Sequence, residues 1–186
     1  MSERVCPWWI GYLLASPVRK WIGQDPIEIL RPYVREGMTA FEPGPGMGFF
    51  TLPLATLVGA TGRVIAVDLQ PKMIASLKRR AAKAGLLNRI EARVTAADTL
   101  GIDDIADKVD FTLAFAVVHE LPDPRKFFGE VAALSKSGAK LLFAEPRGHV
   151  DAAKFEEEIR AAVAAQFTVS ESPIIRRSRA TLLMKN

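Results

Sequence analysis

Cysteine and histidine are scarce in this chain of 186 residues: there is one of the first and two of the second. The lone Cys6 excludes a disulfide framework and any cysteine-built metal cluster. His119 and His149 are too few for an ordinary zinc site, so no metal is expected. A long hydrophobic run is missing too. The most apolar early stretch, Val5 to Val18, is interrupted by Gly11, Tyr12 and Ser16 and is too short to span a membrane. Leu13-Leu14-Ala15-Ser16 loosely mimics the core and cleavage site of a signal peptide. Two tryptophans and a proline stand where a leucine-rich core belongs, so none is expected. Repeats and low-complexity tracts are also absent. Together these absences point to a reducing cytoplasm.

What remains is ordinary globular composition: 49% hydrophobic and 25% charged residues, enough chain for one domain with a real core. A net charge of +4 and an isoelectric point near 9.4 favour anionic neighbours without specifying a function.

Apolar runs alternate with helical patterns along the chain. Asp25-Pro26-Ile27-Glu28 reads as a helix start, with an Asp cap, Pro in the first turn and Glu three residues on. Strands are expected over 38–41, 63–68, 90–94, 109–116 and 140–144. Helices are expected over 48–58, from Pro71 to Gly85, from Asp123 to before Gly138, and over 151–166. Pro53 should kink the first of these. Inward faces should carry Ile74, Leu77, Ala81 and Ala84, then Phe127, Phe128, Val131 and Leu134, then Phe155, Ile159 and Val163. Two late strands, near 167–169 and 180–184, have no helix between them and should pair antiparallel. Solid apolar strands between helices mean a parallel sheet covered on both faces, with ligands beyond the carboxyl ends of its strands.

Thr39-Ala40-Phe41-Glu42-Pro43-Gly44-Pro45-Gly46-Met47-Gly48 is the most informative segment. Glycines at alternate positions let a ligand approach bare backbone, and the helix that follows opens with unpaired N–H groups. Asp68 ends the next strand, where a carboxylate can accept both hydroxyls of a ribose. Dinucleotide sites want G-x-G-x-x-G, yet position 49 is phenylalanine. Glu42, two residues before the first glycine, would repel a pyrophosphate and attract an ammonium group. A nucleoside carrying positive charge fits such a site, and S-adenosylmethionine is one.

These residues resemble the class I S-adenosylmethionine-dependent methyltransferases of the small-molecule and quinone-type branch, over Met38 to Lys185. The family's acidic-x-G-x-G-x-G motif matches Glu42, Gly44, Gly46 and Gly48. Asp68 matches its ribose-binding acid, and Asp98 after Ala97 the acid that takes the adenine amino group. Asp110 to Pro124 resembles the family's fourth-strand segment. Leu134 to Lys140 resembles its L-K-P-G-G turn, with Ser137 in place of proline and Ala139 in place of the second glycine. The resemblance implies a Rossmann-like, doubly wound sheet of seven strands, mostly parallel with an antiparallel C-terminal strand. It implies cofactor contacts from Glu42, Gly44, Pro45, Gly46, Gly48, Asp68, Leu69, Ala97, Asp98, Ala114 and Phe115.

The expected division is an N-terminal helical extension, 1–37, and a cofactor-binding domain, 38–186. Trp8, Trp9, Tyr12 and Trp21 among Arg4, Arg19 and Lys20 read as a lid over the cofactor, as a core-completing helix, or as a membrane-surface segment. His119 is a candidate general base or a packing residue, and Glu120 and Glu145 are alternative catalytic groups. His149 reads as a loop residue. Arg176, Arg177 and Arg179 form a solvated loop or a grip on an anionic substrate. The expected reaction is in-line methyl transfer to a small, apolar or aromatic acceptor. The N/D-P-P-Y tetrapeptide of amino-group methyltransferases is missing, the catechol-type metal aspartate is missing, and arsenite enzymes need several cysteines. No nucleic-acid partner is expected, and the chain is read as a monomer or homodimer. A non-catalytic S-adenosylmethionine-binding protein and a NAD(P)-dependent oxidoreductase are the rival readings.

Overall fold

A computed structural model describes residues 25–96 and 99–186. The tryptophan-rich segment and the pair Ala97-Asp98 lie outside the described residues. Seven strands form one sheet in the order β3-β2-β1-β4-β5-β7-β6. They are β1 (Thr39–Pro43), β2 (Arg63–Asp68), β3 (Ile90–Val94), β4 (Val109–Phe115), β5 (Ser135–Pro146), β6 (Phe167–Glu171) and β7 (Ser178–Lys185). The first five run parallel, and β7 lies antiparallel between β5 and β6. Helices α1 (Pro26–Leu30), α2 (Thr51–Leu57), α3 (Pro71–Lys83), α4 (Pro124–Leu134) and α5 (Ala152–Ala164) complete the fold.

Alternate residues of the central strands feed two apolar layers. Ala40, Val64, Ala66 and Leu142 meet Leu54 of α2 and Leu77 of α3 on one face. Phe41, Ile65, Leu141 and Phe143 meet Phe128 of α4 and Phe155 of α5 on the other. A strand buried on both faces has no polar side to show, which is why β2 and β4 read as unbroken apolar runs. Tyr33 stacks on Phe111 with ring centroids 6.4 Å apart, so the residues just before β1 also join the core.

Several expected boundaries move for local reasons. Gly48 takes φ +88°, which delays α2 to Thr51. Pro53 thereby falls in the first turn, where a missing N–H costs no hydrogen bond, and the expected kink has no cause. β1 extends to Pro43 and carries Glu42 within the strand. β5 starts at Ser135 and absorbs the segment likened to a turn. Ser137 keeps the N–H that a proline would lack, and a register shift between Val109 and Phe111 takes up the irregularity. On α5 the buried face is Phe155, Glu158, Ala161 and Ala162, while Val163 is half exposed. Ala84, expected inward on α3, is its exposed C-cap.

Sheet order reverses between β1 and β4. The carboxyl ends of those strands therefore splay their connections to opposite faces and leave a crevice.

Candidate functional site

Three glycines shape the floor of that crevice. Gly44, Gly46 and Gly48 all take positive φ, at 65°, 54° and 88°. A Cβ on Gly44 would lie 2.9 Å from Val117 Cγ2, and one on Gly48 would lie 2.5 Å from Leu77 Cδ1. Those two glycines are bare because protein packs against them. A Cβ on Gly46 would meet nothing within 4 Å, so Gly46 presents its backbone to open space. Arg80 of α3 reaches under the loop and donates from Nη1 to the Met47 carbonyl at 2.6 Å. Pro45 and Met47 are buried between these anchors.

Two carboxyl groups face the loop. Glu42 is 4% exposed, and its Oε2 has no hydrogen-bond partner. Burial pushes its pKa up to about 8; the Thr51 hydroxyl draws it part of the way back, and the Asp68 charge adds to the rise. Thr51 Oγ1 itself makes no hydrogen bond of proper geometry. Asp68 ends β2. Its Oδ1 accepts from Gln70 N at 2.8 Å, and its Oδ2 accepts a long bond from Gly46 N at 3.3 Å. Burial raises its pKa as well, against the two backbone N–H groups that favour the charged form. Leu69 follows it at the crevice edge. Asp98, the expected adenine partner, and Ala97 lie outside the described residues.

β4 supplies the opposite wall. Ala114 is buried, and Phe115 is half-buried with its ring 4.5 Å from that of Phe50. Ala116 then takes φ +57°, rare for a residue with a side chain, and its N–H is held by the Ala144 carbonyl at 2.8 Å. That bend aims a short 3-10 turn, Val118–Glu120, back over the end of β5. Glu145 waits there, fully buried. Its Oε1 accepts from Val118 N at 2.8 Å and His119 N at 3.2 Å, and its Oε2 lies 2.6 Å from His119 Nδ1. With a carboxylate oxygen accepting there, Nδ1 carries the proton and Nε2 keeps a lone pair. The Glu145 hydrogen bond raises the His119 pKa, partly opposed by burial. His149 packs edge-on to the His119 ring at 5.5 Å. Glu120, on the same turn, is exposed by its accessible surface and makes no hydrogen bond to the pair, yet its charge helps raise the His119 pKa. Its own pKa is raised by partial desolvation, with His119 opposing and Glu145 and Asp68 adding to the rise.

The structure thus brings together Glu42, the glycines and Asp68 on one side, and His119 with Glu145 on the other. Glu120 is hydrogen-bonded to neither side, but its charge is coupled to His119 and Glu145 on one side and to Asp68 on the other. Glu158 of α5, which the sequence reading passed over, is 1% exposed with neither carboxyl oxygen hydrogen-bonded. Burial pushes its pKa up to about 7, and Glu145 adds to the shift. Its only sequence signal is a charge on the Phe155 face of a helix.

Residues 35–178 match a methyltransferase domain family. The chain belongs to that family. Among solved structures, a SAM-dependent methyltransferase from Aquifex aeolicus superposes with a TM-score of 0.82 at 24% identity, covering 97% of this chain and 98% of that one. TrmN from Thermus thermophilus superposes at 0.70 with 22% identity, covering 87% of this chain and 48% of that one. At such identities these likenesses establish the fold. The tRNA (adenine(57)-N(1)/adenine(58)-N(1))-methyltransferase of Methanocaldococcus jannaschii is 27% identical over 52% of this chain and 40% of that protein. The arsenite methyltransferase of Halobacterium salinarum is 27% identical over 67% and 30%. The chain spans less than half the length of the curated relatives it matches. In this methyltransferase domain the glycine loop is the part that fits an S-adenosylmethionine: an open face at Gly46 and a buried carboxyl without a partner.

Proposed function

We propose that this methyltransferase domain moves a methyl group from S-adenosylmethionine to a small acceptor with an apolar or aromatic body, and that His119 takes the acceptor's proton. The observation that carries the reading is the unpartnered Oε2 of Glu42 at the end of β1. A buried carboxyl without a hydrogen bond is costly, and it persists where a cationic ligand group will complete it. A pyrophosphate at that place would make it worse. Asp68, at the end of β2, is assigned the ribose hydroxyls in this reading, and the adenine amino group is left to Asp98, which lies outside the described residues.

The cofactor supplies an electrophilic methyl on a sulfonium. The chain's own part is alignment, exclusion of water and handling of one proton. Phe115 at the end of β4 and Phe49 before α2, both half-buried, give the crevice apolar walls. The acceptor's nucleophilic atom gives its proton to Nε2 of His119 as its bond to the methyl carbon forms, leaving a methylated acceptor and S-adenosylhomocysteine. Glu145 holds the ring in the tautomer this needs and balances the imidazolium that results. The reaction is expected in a reducing cytoplasm.

The test is twofold. Purified protein should bind S-adenosylhomocysteine in the micromolar range or tighter by calorimetry. Tritiated methyl from labelled S-adenosylmethionine should appear in the small-molecule fraction of a cell extract. No heat and no thermal shift with either nucleoside would sink the reading, and label in protein or RNA alone would correct the acceptor.

A further inference from the structure

Beyond the crevice, the pairing of β5 with β7 gathers three arginines at one end of the two strands. β7 runs antiparallel to β5, so its first residues lie beside the last residues of β5, at the sheet's carboxyl edge. Pro146 pairs with Ser178 and Glu145 with Arg179. Arg147 follows β5 directly, and its N–H is held by the Arg177 carbonyl at 3.0 Å. Its Nε donates to the Ser178 carbonyl at 3.0 Å. Arg179 donates from Nε to the Val150 carbonyl at 3.2 Å. Arg177 takes φ +63° and is exposed.

Each of these contacts has a consequence. A solvated arginine keeps its rotamer freedom, whereas Nε anchored on a backbone carbonyl fixes the plane of the guanidinium and leaves its two outer nitrogens to donate. Arg147 and Arg179 are anchored in this way. Among the described residues, none of Arg147, Arg177 and Arg179 forms a salt bridge with a carboxylate. Two anchored guanidinium groups, with the exposed Arg177 at the same end of the strand pair, thus carry like charges without a salt-bridged carboxylate among the described residues, an arrangement that raises the local potential for anions. Their place matters equally. The turn that Arg147 begins and Arg179 braces carries His149, whose ring lies 5.5 Å from that of His119. This end of the strand pair is therefore joined, through the turn that carries His149, to the proposed proton acceptor.

We propose that the methyl acceptor is an anion, and that Arg147, Arg177 and Arg179 hold its phosphate group. The proposal rests on the reading of His119 as the acceptor-side residue. Phosphate fits because guanidinium groups pair with it through parallel N–H bonds, and a planar anchored guanidinium loses little freedom in doing so. The phosphate can belong to a phosphorylated aromatic molecule or to the backbone of a nucleic acid, and two probes separate these sources.

The experiment uses the full chain, with phenyl phosphate as one probe and a short fluorescently labelled oligouridylate as the other. Both are titrated into the protein saturated with S-adenosylhomocysteine. Three arginines are changed together (Arg147→Gln, Arg177→Gln, Arg179→Gln), and an equal-charge control changes Lys78→Gln, Arg79→Gln and Lys83→Gln on α3. The expected result is at least a tenfold loss of affinity for one probe in the arginine variant and about twofold or less in the control. If oligouridylate is the ligand, its binding should fall with salt, and the arginine variant should lose about 0.7 from the log–log slope, the share of the one phosphate those arginines hold. Retention of the S-adenosylhomocysteine thermal shift shows that a variant is folded; if the triple variant loses it, the exposed Arg177→Gln alone carries the test. No binding of either probe to the unaltered protein, or equal losses in the two triple variants, would overturn the proposal. Failure of the unaltered protein to bind S-adenosylhomocysteine would instead sink the methyltransferase reading, so the two failures are distinguishable.

Discussion

Glu42 and Glu145 occupy similar places and opposite states. Each lies at the carboxyl end of a parallel strand and is almost wholly buried, at 4% and 0% exposure. Glu145 is completed by the protein itself, through two backbone N–H groups and the His119 ring. Glu42 is left with one oxygen unpartnered, facing a loop whose middle glycine opens on empty space. The difference separates a carboxylate that builds structure from one kept for a ligand. Burial alone would not have told them apart; the count of hydrogen-bond partners does.

The strongest way to sharpen this contrast is at the group that Glu145 supports. Changing His119→Asn should lower methyl transfer by about 10²- to 10⁴-fold, the usual share of a positioned proton acceptor, while S-adenosylhomocysteine affinity stays as it was. An unchanged rate would reduce His119 to a packing residue. With His119 intact, the rate should rise with pH as the ring loses its proton, at a pH above the ordinary histidine value because Glu145 favours the charged ring.

Removing Glu145 tests the structural half. Glu145→Ala strips an acceptor from two backbone N–H groups and from His119, so about 3 kcal/mol of stability should go, lowering the melting temperature by roughly 6–12 °C. A loss of activity with no loss of stability would contradict the assignment of Glu145 as an internally completed group.

A pH-dependent effect is expected at Glu42 in the absence of ligand. Its folded pKa is raised from 4.5 to about 8. A raised folded value means that Glu42 favours the fold fully below its ordinary pKa and that this contribution is lost as pH climbs through about 8. The ligand-free protein should therefore melt earlier toward alkaline pH, and Glu42→Gln should flatten that fall and melt later than its parent near pH 9. Identical pH profiles for the two proteins would show that Glu42 is already completed without a ligand.

Much of the sheet was legible because its strands are buried on both faces and read as apolar runs; β2 and β3 begin and end where the sequence placed them. The antiparallel pair at the end was legible from the missing helix between 169 and 180. The acids at strand ends were legible from spacing, as Glu42 and Asp68 show. What sequence could not carry was contact across distance. His119 and Glu145 are 26 residues apart, and only the parallel pairing of β4 with β5 and the backward bend at Ala116 bring them to hydrogen-bonding distance. Sequence also gave no sign that a Cβ at Gly44 would meet Val117, a packing reason for glycine there in addition to any ligand. Glu158 broke the apolar pattern of α5, and a pattern read from apolar residues rotates the helix toward Val163 instead. The arginines at the β5–β7 crossing come together only through the antiparallel return of β7.

Calorimetry of S-adenosylhomocysteine binding to the unaltered protein and to Glu42→Gln tests the central claim most directly. The account predicts micromolar or tighter binding, weakened about a hundredfold by the substitution in a protein that melts no earlier than its parent. Equal affinity in the two proteins, or a preference of the unaltered one for NAD, would contradict it.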